Sequence, residues 1–342
     1  MFERGQLTDG EPMPRFQGIL LTTDEAGFSA RVTELDELVL NGDGEVVVQV
    51  ERSSLNYKDG LAITNRSPVV RKWPMVPGID CTGVVDLSSD PRFQRGDAVI
   101  VTGWKIGELY WGGLAERARF KGDWLLPRPQ GMDGNTAMAI GTAGLTAMLS
   151  VLSLERHGIK PAQGDVLVTG ASGGVGSLAV AILAQLGYRV VASTGRLKES
   201  GYLAELGAHV VMDRAELSGP GNPLQKERFA AVVDTVGSHT LANACAQVKY
   251  GGAVAACGLA QGMDFPATVA PFILRAVALY GIDSVLAPEA ARVVAWRRLT
   301  SDLDPVKLLR IASEISLHDA LEAATAIVSG GVRGRLVVNV RT

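Results

Sequence analysis

In "EVVVQVERSSL" the apolar Val46, Val48 and Val50 alternate with other residues, a period of two that predicts β structure. A second apolar run, "RGDAVIVTG" (95–103), follows a turn signal. Glycines and prolines recur at short intervals up to about Asn135, so this part reads as a compact, irregular β-rich barrel that carries its site on loops. In "DGNTAMAIGTAGLTAMLSVLSLERHG" the period changes. Ala137, Ile140, Leu145, Met148, Leu149 and Leu152 recur at helical spacing and the segment closes on basic residues and Gly158, predicting one long helix between two domains. Strand and helix patterns then alternate through "DVLVTG", "SLAVAILAQLG", "RVVAST", "ESGYLAELG", "HVVMD", "FAAVVDTVG", "SHTLANACAQV" and "GGAVAACG", which predicts a parallel, doubly wound sheet. After "ALYGIDSV" come two helical patterns and a last strand, "GRLVVNV", that a completed doubly wound domain has no place for. The tail is therefore expected to return to the first domain, giving an α/β protein divided as 1–139, 140–284 and 285–342, the middle part being an insertion.

The segment "DVLVTGASGGVGSLAVAILAQLG" carries the most chemistry: a buried strand, a glycine-rich turn, then a helix. The turn reads Ala171-x-Gly173-x-x-Gly176, a dinucleotide fingerprint with alanine for its first glycine. The middle glycine lets the backbone approach a pyrophosphate, the last lets the helix pack close to the strand, and the helix N-terminus supplies amide donors. Ser172, Gly173, Gly174, Val175 and Gly176 are the candidate contacts. About 20 residues on, an NAD site places a carboxylate on the ribose 2′-hydroxyl. Here Ser193, Thr194, Gly195, Arg196 and Lys198 stand instead, hydroxyls and a guanidinium suited to a 2′-phosphate, so the expected cofactor is NADPH/NADP+.

Composition narrows the partners. The 342 residues are 47% hydrophobic and 20% charged with 40 glycines, a soluble α/β balance. A formal net charge of -3 offers no field for nucleic acid, and the runs Leu178–Leu183 and Val254–Ala256 are too short to span a bilayer. "MFERGQLTDGEPMPRF" lacks a signal-peptide apolar region, so a cytoplasmic protein with a small-molecule substrate, no nucleic acid and no membrane is expected. Cys81, Cys245 and Cys257 are widely spread and make no ligand spacing with His157, His209, His239 or His318.

With these features placed, "SSLNYKDGLAITNR", "PGIDCTGVV", "WGGLAERA", "GTAGLTAM", "TGASGGVGS" and "GRLVVNV" resemble the medium-chain dehydrogenase/reductase superfamily in its zinc-free quinone-oxidoreductase branch. "DTVG", "YGGAVAACGLA", "PFILRAV" and "GIDSV" look like its acryloyl-CoA reductase subgroup. The resemblance implies a GroES-like β-barrel catalytic domain, an inserted Rossmann domain, a cleft between them for nicotinamide and substrate, and a homodimer joined through the last Rossmann edge strand, at "ALYGIDSV". Zinc-dependent relatives place Cys-x-x-Asp, then Gly-His-Glu, then a further cysteine. This chain has Asn56-Tyr57-Lys58-Asp59, Gly78-Ile79-Asp80 and no cysteine in "AIGTAGLTA", too few donors for catalytic zinc, so no zinc is expected.

Without a Lewis acid, hydride addition to an isolated carbonyl is poorly served, whereas addition to a conjugated enoyl thioester or quinone spreads the charge over an enolate that a few hydrogen bonds can hold. The resemblance thus implies NADPH-dependent reduction of a short enoyl-CoA, acryloyl-CoA to propanoyl-CoA. An NADPH:quinone oxidoreductase and a non-catalytic NADPH-binding protein remain as alternatives. The resemblance puts Tyr57 beside the nicotinamide as proton donor or cofactor contact, with Asn56 and Asp59 as neighbours, Thr142 and Leu259 near the cofactor and Arg335 near its phosphates. Arg66 and Arg275 are the foremost candidates for the coenzyme A phosphates, ahead of Arg71, Lys72, Arg297 and Arg298.

Overall fold

Strands β1 (Arg15–Asp24) and β2 (Gly27–Asp36) form an antiparallel ribbon, and single bridges from Gly18 to Ala115 and from Leu21 to Met75 tie it to the sheet that follows. The computed structural model describes residues 15–40 and 44–342; the first fourteen residues of the stretch read above for a signal peptide lie outside the described residues. Next come β3 (Val46–Leu55), helix α1 (Tyr57–Ile63), β4 (Asp80–Ser88), β5 (Ala98–Thr102), β6 (Arg117–Phe120), β7 (Leu125–Pro127) and α2 (Gly134–His157). The alternation at Val46, Val48 and Val50 faces one core with Ile19, Leu21, Leu55, Phe120 and Val338, while Val47 turns to a second cluster with Phe16, Leu35 and Val76. β3 is therefore covered on both faces, which suits its place in the middle of a sheet ordered β14-β15-β3-β4-β5-β7, with β6 also on β3.

The remaining elements are β8 (Asp165–Val168), α3 (Gly174–Gln185), β9 (Val190–Thr194), α4 (Ser200–Leu206), β10 (Ala208–Asp213), β11 (Phe229–Asp234), α5 (Ser238–Gln247), β12 (Val248–Ala256), α6 (Ala270–Arg275), β13 (Ala278–Gly281), α7 (Glu289–Asp302), α8 (Pro305–Ile311), β14 (Ala312–Ser316), α9 (Asp319–Val328) and β15 (Arg335–Asn339). Strands β8 to β13 make a parallel sheet ordered β10-β9-β8-β11-β12-β13. The order reverses between β8 and β11, and ligands of such sheets bind at the carboxyl ends of the strands flanking that point. This is the α/β fold class expected, a sheet domain interrupted by a doubly wound one.

The chain divides into two compact units. One holds the described residues up to Thr142 with Ser313–Val332 and Leu336–Thr342; the other holds Ala143–Ala312 with Arg333–Arg335. Helices α7 and α8, assigned from sequence to the returning tail, thus lie in the second unit, and the return comes at 313 rather than 285. Arg298 of α7 bonds both oxygens of Glu155, and Arg310 of α8 pairs with Glu205. Arg292 is 1% exposed and gives its guanidinium to the carbonyls of Ser284, Val285 and Ala287.

The long helix is also not continuous. Gly141 takes φ 47° and ψ -152° inside α2, a conformation that side chains with a Cβ avoid. α2 is long and apolar enough to cross a membrane by length and composition, which the sequence reading missed, yet 83% of its most apolar window is buried within the protein. It is a core helix with a break.

Candidate active site

In the second unit the glycine-rich turn leaves β8 through Gly170, whose φ of 59° is left-handed. The sharp turn that the fingerprint assigns to its first glycine is thus made one residue early, which is why Ala171 is tolerated and fully buried. A Cβ on Gly176 would fall 2.3 Å from the Gly170 carbonyl oxygen, so α3 can approach β8 only with glycine there. The first amides of α3, from Gly174, Val175 and Gly176, have no partner within the helix and form an anion seat. Arg335 is buried against this seat, its Cδ 3.1 Å from where a Gly174 Cβ would stand, and the neighbouring Gly334 amide donates to the Ser172 carbonyl at 3.0 Å.

Across the point where strand order reverses, Asp234 at the end of β11 accepts from the Thr169 hydroxyl at 2.6 Å and the Gly237 amide at 2.8 Å, and burial raises its pKa. Ser193 and Thr194 are buried at the end of β9; the Thr194 hydroxyl meets the Ser172 hydroxyl at 2.9 Å and accepts the Arg196 amide at 3.0 Å. The Arg196 guanidinium reaches back to the Ser172 carbonyl (3.0 Å) and hydroxyl (3.1 Å). The turn and the 2′-phosphate candidates are therefore brought together. Leu259 stands in a loop, 54% exposed, beside Gly237.

In the first unit a closed polar cluster surrounds Asp80, which is fully buried. One oxygen accepts from the Ser54 hydroxyl at 2.5 Å, the other from the Thr142 amide at 2.7 Å, and the Asn56 side-chain amide lies 3.2 Å from each. The Thr142 amide is available because Gly141 breaks α2. Asp59, 1% exposed, spreads one oxygen over the Gly78 and Ile79 amides (3.1 and 3.0 Å) and receives the Asn56 backbone amide on the other (2.9 Å). It thus closes the first turn of α1 and pins the "PGID" turn to it. Burial, then the Asp80 carboxylate, push the Asp59 pKa up to about 7. Tyr57 begins α1 and is 40% exposed, a phenol presented outward by a helix whose base is fixed. A Cβ on Gly60 would meet Ile327 at 2.5 Å, so glycine lets α9 press against the opposite side of α1.

These donors do not fit a zinc ion. Both carboxyls that stand near the metal positions of zinc relatives are filled by amides and a hydroxyl, Ile79 offers no donor, and no group of three His, Cys, Asp or Glu could hold a metal among the described residues. Cys81 is a buried strand residue, and a Gly113 Cβ would stand 2.4 Å from its own Cβ. Its thiol is pushed up by burial and by Asp80.

Of the coenzyme A candidates, Arg66 is exposed, as are Arg71 and Lys72. Arg275 is turned inward: it donates to the carbonyls of Ala246 and Gln225 (2.8 and 2.6 Å) and pairs with Glu227, so it serves the fold. Sequence reasoning missed the Asp80 hub, because its partners are 24, 26 and 62 residues away.

A sheet domain with a polar cluster where metal relatives bind zinc, and a doubly wound domain with an anion seat, define a medium-chain dehydrogenase/reductase, and the chain belongs to that family in its quinone-oxidoreductase-like branch. Residues 42–130 match the alcohol dehydrogenase GroES-like domain and residues 174–299 the zinc-binding dehydrogenase family. The chain is 52% identical to "Probable acrylyl-CoA reductase AcuI" of Escherichia coli (strain K12), covering 95% of this chain and 99% of that protein. It is 51% identical to acrylyl-CoA reductase AcuI of Ruegeria pomeroyi over 87% of this chain and 90% of that one. The crystal structure of Escherichia coli K-12 YhdH with bound NADPH superposes with a TM-score of 0.93 at 52% identity, covering 95% of this chain and 100% of that one.

The Asp59 carboxyl holds its proton more tightly folded than unfolded, where 3.8 is its ordinary value. Its contribution to stability is full below about pH 4 and is lost as pH rises toward about 7, levelling off above. Denaturant midpoints of the natural chain and Asp59→Asn, compared at several pH values, should shift in favour of the variant across that window; parallel curves would place the titration elsewhere.

Proposed function

We propose that the protein reduces the carbon–carbon double bond of acryloyl-CoA to give propanoyl-CoA, with NADPH as reductant and no metal. The observation that carries this reading is the likeness, over 95% of the chain, to a protein named as a probable acrylyl-CoA reductase, joined to a closed cluster at the metal positions. Bound NADPH supplies a hydride to the β-carbon, leaving an enolate that takes a proton at the α-carbon. The amides of Gly174, Val175 and Gly176 hold the pyrophosphate with Ser172 and Gly173 shaping the turn, and Arg335 adds a positive charge behind it. Thr194, Gly195 and Arg196 meet the 2′-phosphate, with Ser193 buried beneath. Thr142 and Leu259 border the nicotinamide. Tyr57 holds the proton for the α-carbon, and Asn56 and Asp59 orient it through the first turn of α1. Arg66, with Arg71 and Lys72, meets the coenzyme A phosphates. A cytoplasmic location follows from the substrate and cofactor in this reading.

The same reading includes a homodimer formed edge to edge at β13. That strand closes one side of its sheet, paired with β12, and α6 just before it exposes Ile273 (72%) and Leu274 (62%).

Purified protein should oxidise NADPH in the presence of acryloyl-CoA far faster than in its absence and faster than with an equal concentration of benzoquinone; no acceleration by acryloyl-CoA sinks the substrate assignment. Tyr57→Phe should lower kcat by about 10²-fold or more while KM changes little, as loss of a proton donor does. An unchanged kcat removes Tyr57 from the chemistry. Sedimentation should give a dimer for the natural chain and a monomer for Ile273→Asp with Leu274→Asp; a natural monomer, or a dimer that survives both changes, overturns the edge-to-edge arrangement.

A further inference from the structure

The short strap Arg333–Arg335 belongs to the second unit. At its centre Gly334 takes a left-handed φ of 65°, in a gap that admits no side chain. A Cβ there would fall 2.1 Å from the Ile311 carbonyl oxygen at the end of α8 and 3.2 Å from the Tyr202 hydroxyl on α4. The Gly334 amide donates to the Ser172 carbonyl at 3.0 Å, which fastens the strap to the glycine-rich turn.

The two arginines that flank Gly334 go to different places. Arg335 is 3% exposed, and its Cδ and Nη1 lie 3.1 and 3.5 Å from where a Gly174 Cβ would stand, at the first turn of α3. A guanidinium there meets the partial positive charge of a helix N-terminus, so its position is opposed until an anion arrives. Another contact has to hold the strap in place. Arg333 supplies one: its guanidinium carbon lies 4.6 Å from the centre of the Tyr202 ring, and its Nη1 pairs with Glu199 at 3.2 Å. Tyr202 is buried on α4, Glu199 immediately precedes that helix, and α4 packs against α3, so the anchor is fixed relative to the seat.

We propose that Tyr202 and Arg333 are positioning residues for the dinucleotide: ring and guanidinium clamp the strap so that Arg335 stands ready behind the pyrophosphate seat. Both act through Arg335 rather than on the nucleotide. The inference rests on the reading that this seat, with Arg335, holds the pyrophosphate.

The pyrophosphate is common to NADPH and NADH and is missing from adenosine 2′-monophosphate, which gives the clamp a signature. Dissociation constants for these three, measured by calorimetry and by displacement of fluorescent NADPH, are compared for the natural protein, Arg333→Ala, Arg333→Lys, Tyr202→Leu, Tyr202→Phe, Arg335→Ala and the Arg333→Ala, Arg335→Ala double variant. Arg333→Ala should weaken NADPH and NADH by the same factor, about three- to tenfold, and change adenosine 2′-monophosphate by less than about twofold. Tyr202→Leu should do the same, Tyr202→Phe should recover most of that loss because the ring face remains, and Arg333→Lys should recover part of the loss in Arg333→Ala. In the Arg335→Ala background Arg333→Ala should add little, because both changes act through one contact. Full affinity in Arg333→Ala, losses that strike NADPH alone, losses shared with adenosine 2′-monophosphate, or additive losses in the double variant would each overturn the clamp. If Arg335→Ala itself binds both dinucleotides as tightly as the natural protein, the assignment of Arg335 to the seat falls, and the clamp with it. The Arg333 side chain is half-exposed, so its variants keep the test decisive should Tyr202→Leu fail to fold.

Discussion

A carboxyl group sealed from water has to be given partners, and Asp80 finds its partners in two separate stretches of the first unit: Ser54 and Asn56 where β3 passes into α1, and the Thr142 amide at the break in α2. Leaving any one buried acceptor unmade costs about 1–3 kcal/mol, so each of these segments is held to the same few ångströms. The amide of Thr142 turns to Asp80 because Gly141 takes a left-handed φ, and the Asn56 side chain is in reach because α1 starts where it does. Asp59 extends the hold to the turn at Gly78 and Ile79. The outward placement of Tyr57 follows from this hub rather than from packing of the phenol itself.

The second unit solves a comparable problem at Asp234, where Thr169 and the Gly237 amide bind a buried carboxyl beside the point at which strand order reverses. Here too a polar group is buried with its donors supplied, and it joins the end of β11 to the residue that opens the glycine-rich turn. In each unit the candidate site residues thus stand beside loops whose backbone is fixed by a buried acid. That arrangement gives precision at the price of intolerance to substitution.

Much of the architecture was legible in the residue pattern, for reasons that are local. The period-two run at Val46–Val50 and the strand, turn and helix at 165–185 each report their own burial without needing a distant partner. The features that escaped are those settled over long separations. The break at Gly141 is invisible among the other glycines of α2 until Asp80, 62 residues away, claims the Thr142 amide. The extent of the second unit depends on pairs such as Arg298 with Glu155, separated by 143 residues. Arg275 reads as an open cation in "PFILRAV", yet carbonyls 29 and 50 residues away take it. Gly170 shows a limit of motif reading as well, since its left-handed φ does the work of the glycine that the fingerprint lacks. The roles proposed for Tyr57, Thr142, Leu259 and Arg335 rest on family resemblance, and the geometry adds where they stand.

The Asn56 side chain, shared between two buried carboxyls, bears on what a metal site here would require. To build a zinc site here, cysteine would have to replace Asn56, histidine would have to replace Ile79, and a further cysteine would have to enter "AIGTAGLTA". The first change alone strips a donor from Asp59 and Asp80 together, and the second alone places an imidazole at a position 7% exposed. Either intermediate is less stable than its parent by about 1–3 kcal/mol and gains no metal in exchange, because three ligands are needed before zinc is held. Each single substitution toward a metal site therefore costs stability before any zinc is held.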